Sequence, residues 1–271
     1  YRNIDIERNQ VKIMSEFEGF NFKILEDIQR KANEVKADIQ FTEDLSPLLQ
    51  KAKIGPKQAP NSFAILPMEG CDSELDGAPS DLVRRRYRRY ASGGAGLIWW
   101  EACAVLQEAK ANPHQMSLTS ANVGSFASLL HETIKIAQET FGPSHRPINI
   151  LQLTHSGRYS RPEGKATPLV PQHDPILDPP LGISADSPLI SDAYLDDLIG
   201  AYVQSALLAQ EAGYDGVDIK SCHRYLISEL LASYTRSGRY GGSFENRTRF
   251  PLTIIEEIRN AVGSDFIIAS R

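Results

Sequence analysis

Between Gly216 and Tyr225 the sequence reads Gly-Val-Asp-Ile-Lys-Ser-Cys-His-Arg-Tyr, an apolar run followed by three side chains that can handle protons. Lys220, His223 and Tyr225 all fall within this short stretch. An ammonium, an imidazole and a phenol at the carboxyl end of a buried strand can bind a substrate oxygen and move a proton. Taken alone, Lys220-x-x-His223 also suits a solvated loop. The elements around it decide between the two.

Ala212-Gly213, just upstream, is a helix stop of the left-handed glycine kind, so the apolar run is a strand entered from a helix. The rest of the chain alternates in the same way. Strands are predicted at residues 63–66, 96–100, 148–153, 216–219 and 266–269. Between them, helices are predicted over about 80–91, 122–140, 191–212 and 245–262, the second with Phe126, Leu129, Leu130, Ile134 and Ala137 at helical spacing. Ser191 is placed to cap the third. A proline-rich stretch over 161–188 has no periodicity and reads as a binding loop or lid.

Apolar strands without a period-two pattern, each followed by a helix, imply a parallel sheet covered by helices. The strand spacings are long for a minimal unit, which fits an α/β fold of the TIM (β/α)8-barrel type with only about the first five βα units in this chain. An open doubly wound sheet is the structural alternative, but no GxGxxG follows the first strand. Residues 1–44 read as an N-terminal helical extension, with a helix over 21–38 and apolar positions Val11, Ile13, Phe17, Phe20, Ile24 and Ile28 packing on the outside. Residues 45–271 form the barrel domain.

Composition bounds the function. The chain has 271 residues, 41% of them hydrophobic and 23% charged, with a net charge of -5. That balance gives no electrostatic reason for nucleic acid or an anionic membrane, and no apolar run approaches the roughly 20 residues of a membrane span. The run Arg84-Arg85-Arg86-Tyr87-Arg88-Arg89 reads as a solvated helix surface. Cys71, Cys103 and Cys222 stand far apart, which argues against a structural zinc, an iron–sulfur cluster in this chain or a disulfide framework. A reducing cytoplasm is the expected setting. The expected partner is a small-molecule substrate, with a homo-oligomer also allowed. Tyr1 is not an initiator methionine, so the chain is expected to be part of a longer one.

The stretch downstream of the three polar residues narrows the reading. Tyr240-Gly241-Gly242-Ser243-Phe244-Glu245-Asn246-Arg247-Thr248-Arg249-Phe250 resembles the YGGSxENRxRF signature of the Old Yellow Enzyme family of flavin-dependent ene-reductases. Asp218-Ile219-Lys220-Ser221-Cys222-His223-Arg224-Tyr225-Leu226 is similar to the family's E-I-H-x-A-(H/N)-G-Y-L. The other strand ends agree: Pro67-Met68-Glu69, Glu101-Ala102-Cys103-Ala104-Val105, Gln152-Leu153-Thr154-His155-Ser156-Gly157-Arg158, and Asp265 through Arg271. The resemblance covers about residues 45–271.

The resemblance implies FMN as cofactor, NAD(P)H as reductant, and hydride transfer from flavin N5 to an activated alkene. It places Pro67, Met68, Glu69 and the Ala102 backbone beside the flavin, the Gln152 amide on its pyrimidine edge, and Arg271 near N1. Lys220 and His223 would bind the substrate oxygen and Tyr225 would protonate the α-carbon. The family's phosphate-holding segments follow strands seven and eight, beyond the five strands visible here. Two departures stand out: Lys220 replaces a histidine, and Glu69 replaces a small neutral residue. One reading makes them a compensating ion pair, and the other turns Glu69 to solvent and leaves Lys220 to bind an anionic substrate. Two rival functions are a Schiff-base aldolase using Lys220 and a non-catalytic truncated barrel serving as an interaction module.

Overall fold

The computed structural model of the chain describes Gly19 and residues 21–271, in two compact units, one ending at Leu45 and one spanning Ser46–Arg271. In the first unit a helix, α1, runs Leu25–Glu34, inside the predicted 21–38 segment. Val11, Ile13, Phe17 and Phe20 lie outside the described residues.

The second unit opens with a short helix, α2 (Ser46–Leu49), and an antiparallel hairpin, β1 (Ala52–Ile54) and β2 (Lys57–Ala59). The barrel elements follow as β3 (Ala64–Ile65), α3 (Asp81–Ser92), β4 (Leu97–Ala104), α4 (Val123–Phe141), β5 (Ile148–Thr154), α5 (Asp192–Ala212), β6 (Gly216–Ile219), α6 (Leu226–Leu231), α7 (Phe244–Val262) and β7 (Ile267–Ser270). β3 to β7 form one five-stranded sheet in chain order, parallel at every pairing. The register sets Gln152 beside Asp218, and Asp218 beside Ala269.

The central strands β4, β5 and β6 bury both faces, which explains their missing period-two pattern, while β3 and β7 are more exposed. Toward the helices, Trp100, Leu151, Leu153, Val217 and Ile219 pack against Tyr87, Phe126, Leu195, Tyr202 and Ile254. On the opposite face Leu97, Ile148, Ile150 and Ile267 meet Ala59 of the hairpin. Burying an aliphatic or aromatic side chain of this kind contributes about 1.5–3 kcal/mol. At the amino end of the sheet, Asp215 pairs with Lys57 of the hairpin (2.9 Å) and with Arg146 (3.0 Å). Anchoring of this kind belongs to the stability end of a barrel.

The predicted helices and strands recur with small shifts at their ends, and Ser191 caps α5 by accepting from the Tyr194 N–H at 3.0 Å. Three features differ from expectation. The hairpin β1–β2 was not foreseen, because two three-residue strands around Gly55-Pro56 carry too little pattern to register. The six-residue α6 is likewise absent from the predicted elements, being too short to carry a helical pattern. The arginine run is not simply a solvated surface: Arg86 pairs with Asp72 and Glu101, and Arg84 and Arg88 both reach Glu132.

Candidate active site

The carboxyl end of the sheet gathers two groups of side chains. The first lies along its inner face. Gln152 is buried at the end of β5, and its amide nitrogen donates to Asp218 Oδ2 at 2.5 Å. Trp99 Nε1 donates to the same oxygen at 3.1 Å. Asp218 Oδ1 is buried with no partner, and burial raises the carboxyl above its usual range. The Gln152 carbonyl oxygen takes no hydrogen bond from the described residues. Arg271 follows β7, two residues past Ala269, the register partner of Asp218; it is exposed, and its backbone carbonyl accepts from Ser221 N–H at 2.8 Å.

The second group joins the first strand's loop to the loop after β6. Lys220 Nζ forms a short ion pair with Glu69 Oε1. Tyr225 donates its hydroxyl to Glu69 Oε2 at 3.4 Å, and the Lys220 ammonium lies 4.2 Å from the centre of the Tyr225 ring. Burial, and after it the Glu69 charge, push the Tyr225 phenol well above its ordinary range. Of the two readings of the departures, the geometry agrees with the ion pair. With its Nζ held by a carboxylate, Lys220 does not offer a free amine to a carbonyl, as a Schiff-base enzyme requires.

His223 and Arg224 sit in the left-handed backbone region at φ 62° and 56°. That conformation costs a non-glycine residue about 1–2 kcal/mol, and such strain gathers at functional sites. It carries His223 out of the β6 line to a cleft of about 330 Å³ lined by Ala111, Tyr159, Arg161, His223 and Tyr225. The His223 and Tyr225 rings stand edge to face at 6.4 Å.

Of the residues placed beside the flavin by resemblance, Pro67 is buried, Met68 is exposed, and Ala102 is buried beside a break in the β4–β5 register between Trp100 and Cys103. The Ala102 carbonyl accepts from Gln115 Nε2 at 3.1 Å. Sequence reasoning missed what fixes this loop. Glu101 Oε2 accepts from the Gly70 N–H at 2.8 Å, and Arg86 bridges Asp72 and Glu101. Glu101 thereby sets the backbone that presents Glu69. The sequence signal was present in Glu101-Ala102 itself, but its partner Arg86 lay in a run read as surface.

The signature stretch is scaffolding. Tyr240 donates to Asp196 Oδ1 at 2.5 Å, and Arg236 and the Arg239 N–H bind Asp192 at 2.8 and 2.7 Å. Gly241 is required there, since a Cβ would lie 2.4 Å from the Arg236 carbonyl. Ser243 caps α7, and Arg247 ties the cap to Leu231 at the end of α6. His155 is structural too: it accepts from the Gly157 N–H at Nδ1, so Nε2 carries the proton toward Tyr194, and burial pushes the imidazole down to about 3.

The chain is similar to known proteins. A model of the NADH:flavin oxidoreductase / NADH oxidase family matches residues 47–271. The NADH oxidase of Thermoanaerobacter brockii is 30% identical over 231 residues, covering 83% of this chain and 33% of its own. The NADPH dehydrogenase of Bacillus subtilis is 32% identical over 190 residues, covering 69% and 52%. This chain thus spans about a third of the first and half of the second. Old Yellow Enzyme from Pichia sp. AKU4542 superposes with a TM-score of 0.70 at 23% identity, over 83% of this chain and 59% of that one. That likeness concerns the fold, and it identifies the five-stranded sheet as part of a (β/α)8-type barrel. With the match running unbroken through all five strand ends, the chain belongs to the NADH:flavin oxidoreductase / NADH oxidase family.

Proposed function

We propose that the protein is an FMN-dependent oxidoreductase passing hydride from NAD(P)H to an activated alkene, such as an enone. The observation that carries this reading is the meeting, at the carboxyl end of one parallel sheet, of an open amide carbonyl on Gln152 with the Glu69–Lys220–Tyr225 cluster. The donor set suits a flavin ring. An imide N–H can meet the Gln152 carbonyl, and the Arg271 guanidinium can meet the negative charge of the reduced ring. Glu69 would repel that charge if alone, but Lys220 neutralises it. When bound, reduced FMN supplies hydride at N5 to the β-carbon of the alkene.

The chain's own residues do the rest. Charge building on the substrate oxygen needs a positioned donor. His223, at the cleft and free of protein hydrogen bonds among the described residues, takes that part in preference to the engaged Lys220. Tyr225 delivers a proton to the α-carbon. The hydride and the proton together saturate the double bond, and the two electrons come from NAD(P)H. Anaerobic titration of the full-length protein tests this: NAD(P)H should bleach the visible absorbance and an enone should restore it. Absorbance that NAD(P)H leaves unchanged, or that only oxygen restores, would count against the alkene reading.

Contact between Glu69 and Lys220 makes a second expectation. In a double-mutant cycle of Glu69→Thr and Lys220→His read as flavin midpoint potential, the coupling should exceed about 0.5 kcal/mol. Additive shifts would mean that the pair does not act on the flavin as a unit.

A further inference from the structure

The internal pairing at Glu69 bears on which substrates the site takes. Lys220 and Tyr225, two of the three groups that could meet an incoming oxygen, both give their hydrogen bonds to one carboxylate. The Lys220 charge is therefore paired within the protein and not open to a second anion. The cationic side chain left facing the cleft is Arg161, which is exposed and makes no side-chain hydrogen bond or ion pair with the described residues.

The backbone that carries Arg161 is anchored. Its N–H donates to the Lys110 carbonyl at 2.7 Å, its carbonyl accepts from Gly164 at 3.0 Å, and Thr167 N–H returns to Ser160 at 2.9 Å. An arginine on a tethered turn loses less freedom on binding than one on a loose loop. No acidic side chain lines the cleft. Its apolar side is formed by the Tyr159 and Tyr225 rings, which pack on each other with centroids 6.1 Å apart and planes tilted by 41°. A volume of about 330 Å³ lies at the small end of ligand pockets. The cleft is shallow and open, so a small molecule would lie along one side of it.

We propose that the hydride acceptor is a small planar conjugated acid, with its reacting carbonyl on His223 and its remote carboxylate on Arg161, which acts as the specificity-determining residue. The guanidinium fork matches a carboxylate with two parallel hydrogen bonds, a fit that an ester cannot make. The two rings pack on each other and present a shared aromatic surface, against which a flat conjugated body stacks better than a branched one. The inference rests on the flavin reading above and adds the substrate class to it.

The test compares β-benzoylacrylate with its methyl ester as oxidants of the reduced full-length protein, in wild type, Arg161→Ala and Arg161→Lys. The wild type should favour the acid in kcat/KM, chiefly through KM. The acid-over-ester ratio should fall by about 10- to 100-fold in Arg161→Ala, the range of a hydrogen-bonded charge, and should recover in part in Arg161→Lys. Equal use of acid and ester by the wild type would overturn the inference, as would a ratio that Arg161→Ala leaves unmoved. It would equally be overturned if the Arg161→Ala loss fell on reduction by NAD(P)H, since the arginine would then read the nucleotide. Failure of both compounds to reoxidise the protein would overturn the alkene reading itself, and this inference with it.

Discussion

Replacing Tyr225 by phenylalanine should leave flavin reduction by NAD(P)H close to wild type and slow reoxidation by an enone about 10²–10⁴-fold, the usual contribution of a positioned general acid. The phenol is a weak acid here, raised by burial and by Glu69. A weak acid suffices, because the α-carbon of a substrate that has accepted hydride is strongly basic. The hydroxyl is also lightly held: 3.4 Å to Glu69 exceeds the 2.5–3.0 Å usual for such bonds. It can exchange Glu69 for substrate at little cost. The Glu69→Thr variant removes that acceptor and the charge behind it, so its reoxidation should be no slower than wild type. Stopped-flow measurement of the two half-reactions checks both. Unchanged reoxidation in Tyr225→Phe would assign the proton to water or another group.

Arg158→Met should destabilise the protein by about 3–5 kcal/mol, the cost of leaving buried carboxylates without their counter-charge. Arg158 is fully buried and pairs with Glu229 of α6 and with Asp178, and it donates to the Gln172 carbonyl at 3.0 Å. It thus joins the end of β5, the proline-rich loop and the helix that follows Tyr225. Glu229 is raised by burial to about 7 from its ordinary 4.5, even with Arg158 beside it. A carboxyl raised in the folded state favours folding below its unfolded value, and that contribution is lost as pH rises through the folded value. The deficit of Arg158→Met should therefore be smaller near pH 5, where Glu229 can hold a proton, than near pH 8. Denaturant unfolding of wild type and variant at the two pH values measures it. A deficit independent of pH would mean that the lost packing of the arginine dominates.

Much of the site was legible because barrel chemistry sits where strands end. Lys220, His223 and Tyr225 directly follow an apolar strand, and Glu69 follows Pro67-Met68, so counting along the chain places them at one end of the sheet. Even the Glu69–Lys220 contact was foreseeable, as two opposite charges replacing neutral groups at neighbouring strand ends. What stayed hidden are partnerships set by three-dimensional approach. Gln152 and Asp218 are 66 positions apart, and only the β5–β6 register makes them neighbours. Arg86 leaves its helix for Asp72 and Glu101, a choice that the composition of the arginine run does not encode. The left-handed backbone had a signal at Arg224, where the resembling motif has a glycine, but none at His223.

The central claim is that this barrel end holds a flavin, and the visible absorption spectrum of the purified full-length protein tests it most directly. The account predicts a yellow protein with a band in the blue that denaturation releases as free FMN, weakened in Gln152→Ala. A colourless full-length protein that neither binds added FMN nor changes its spectrum in its presence would contradict it.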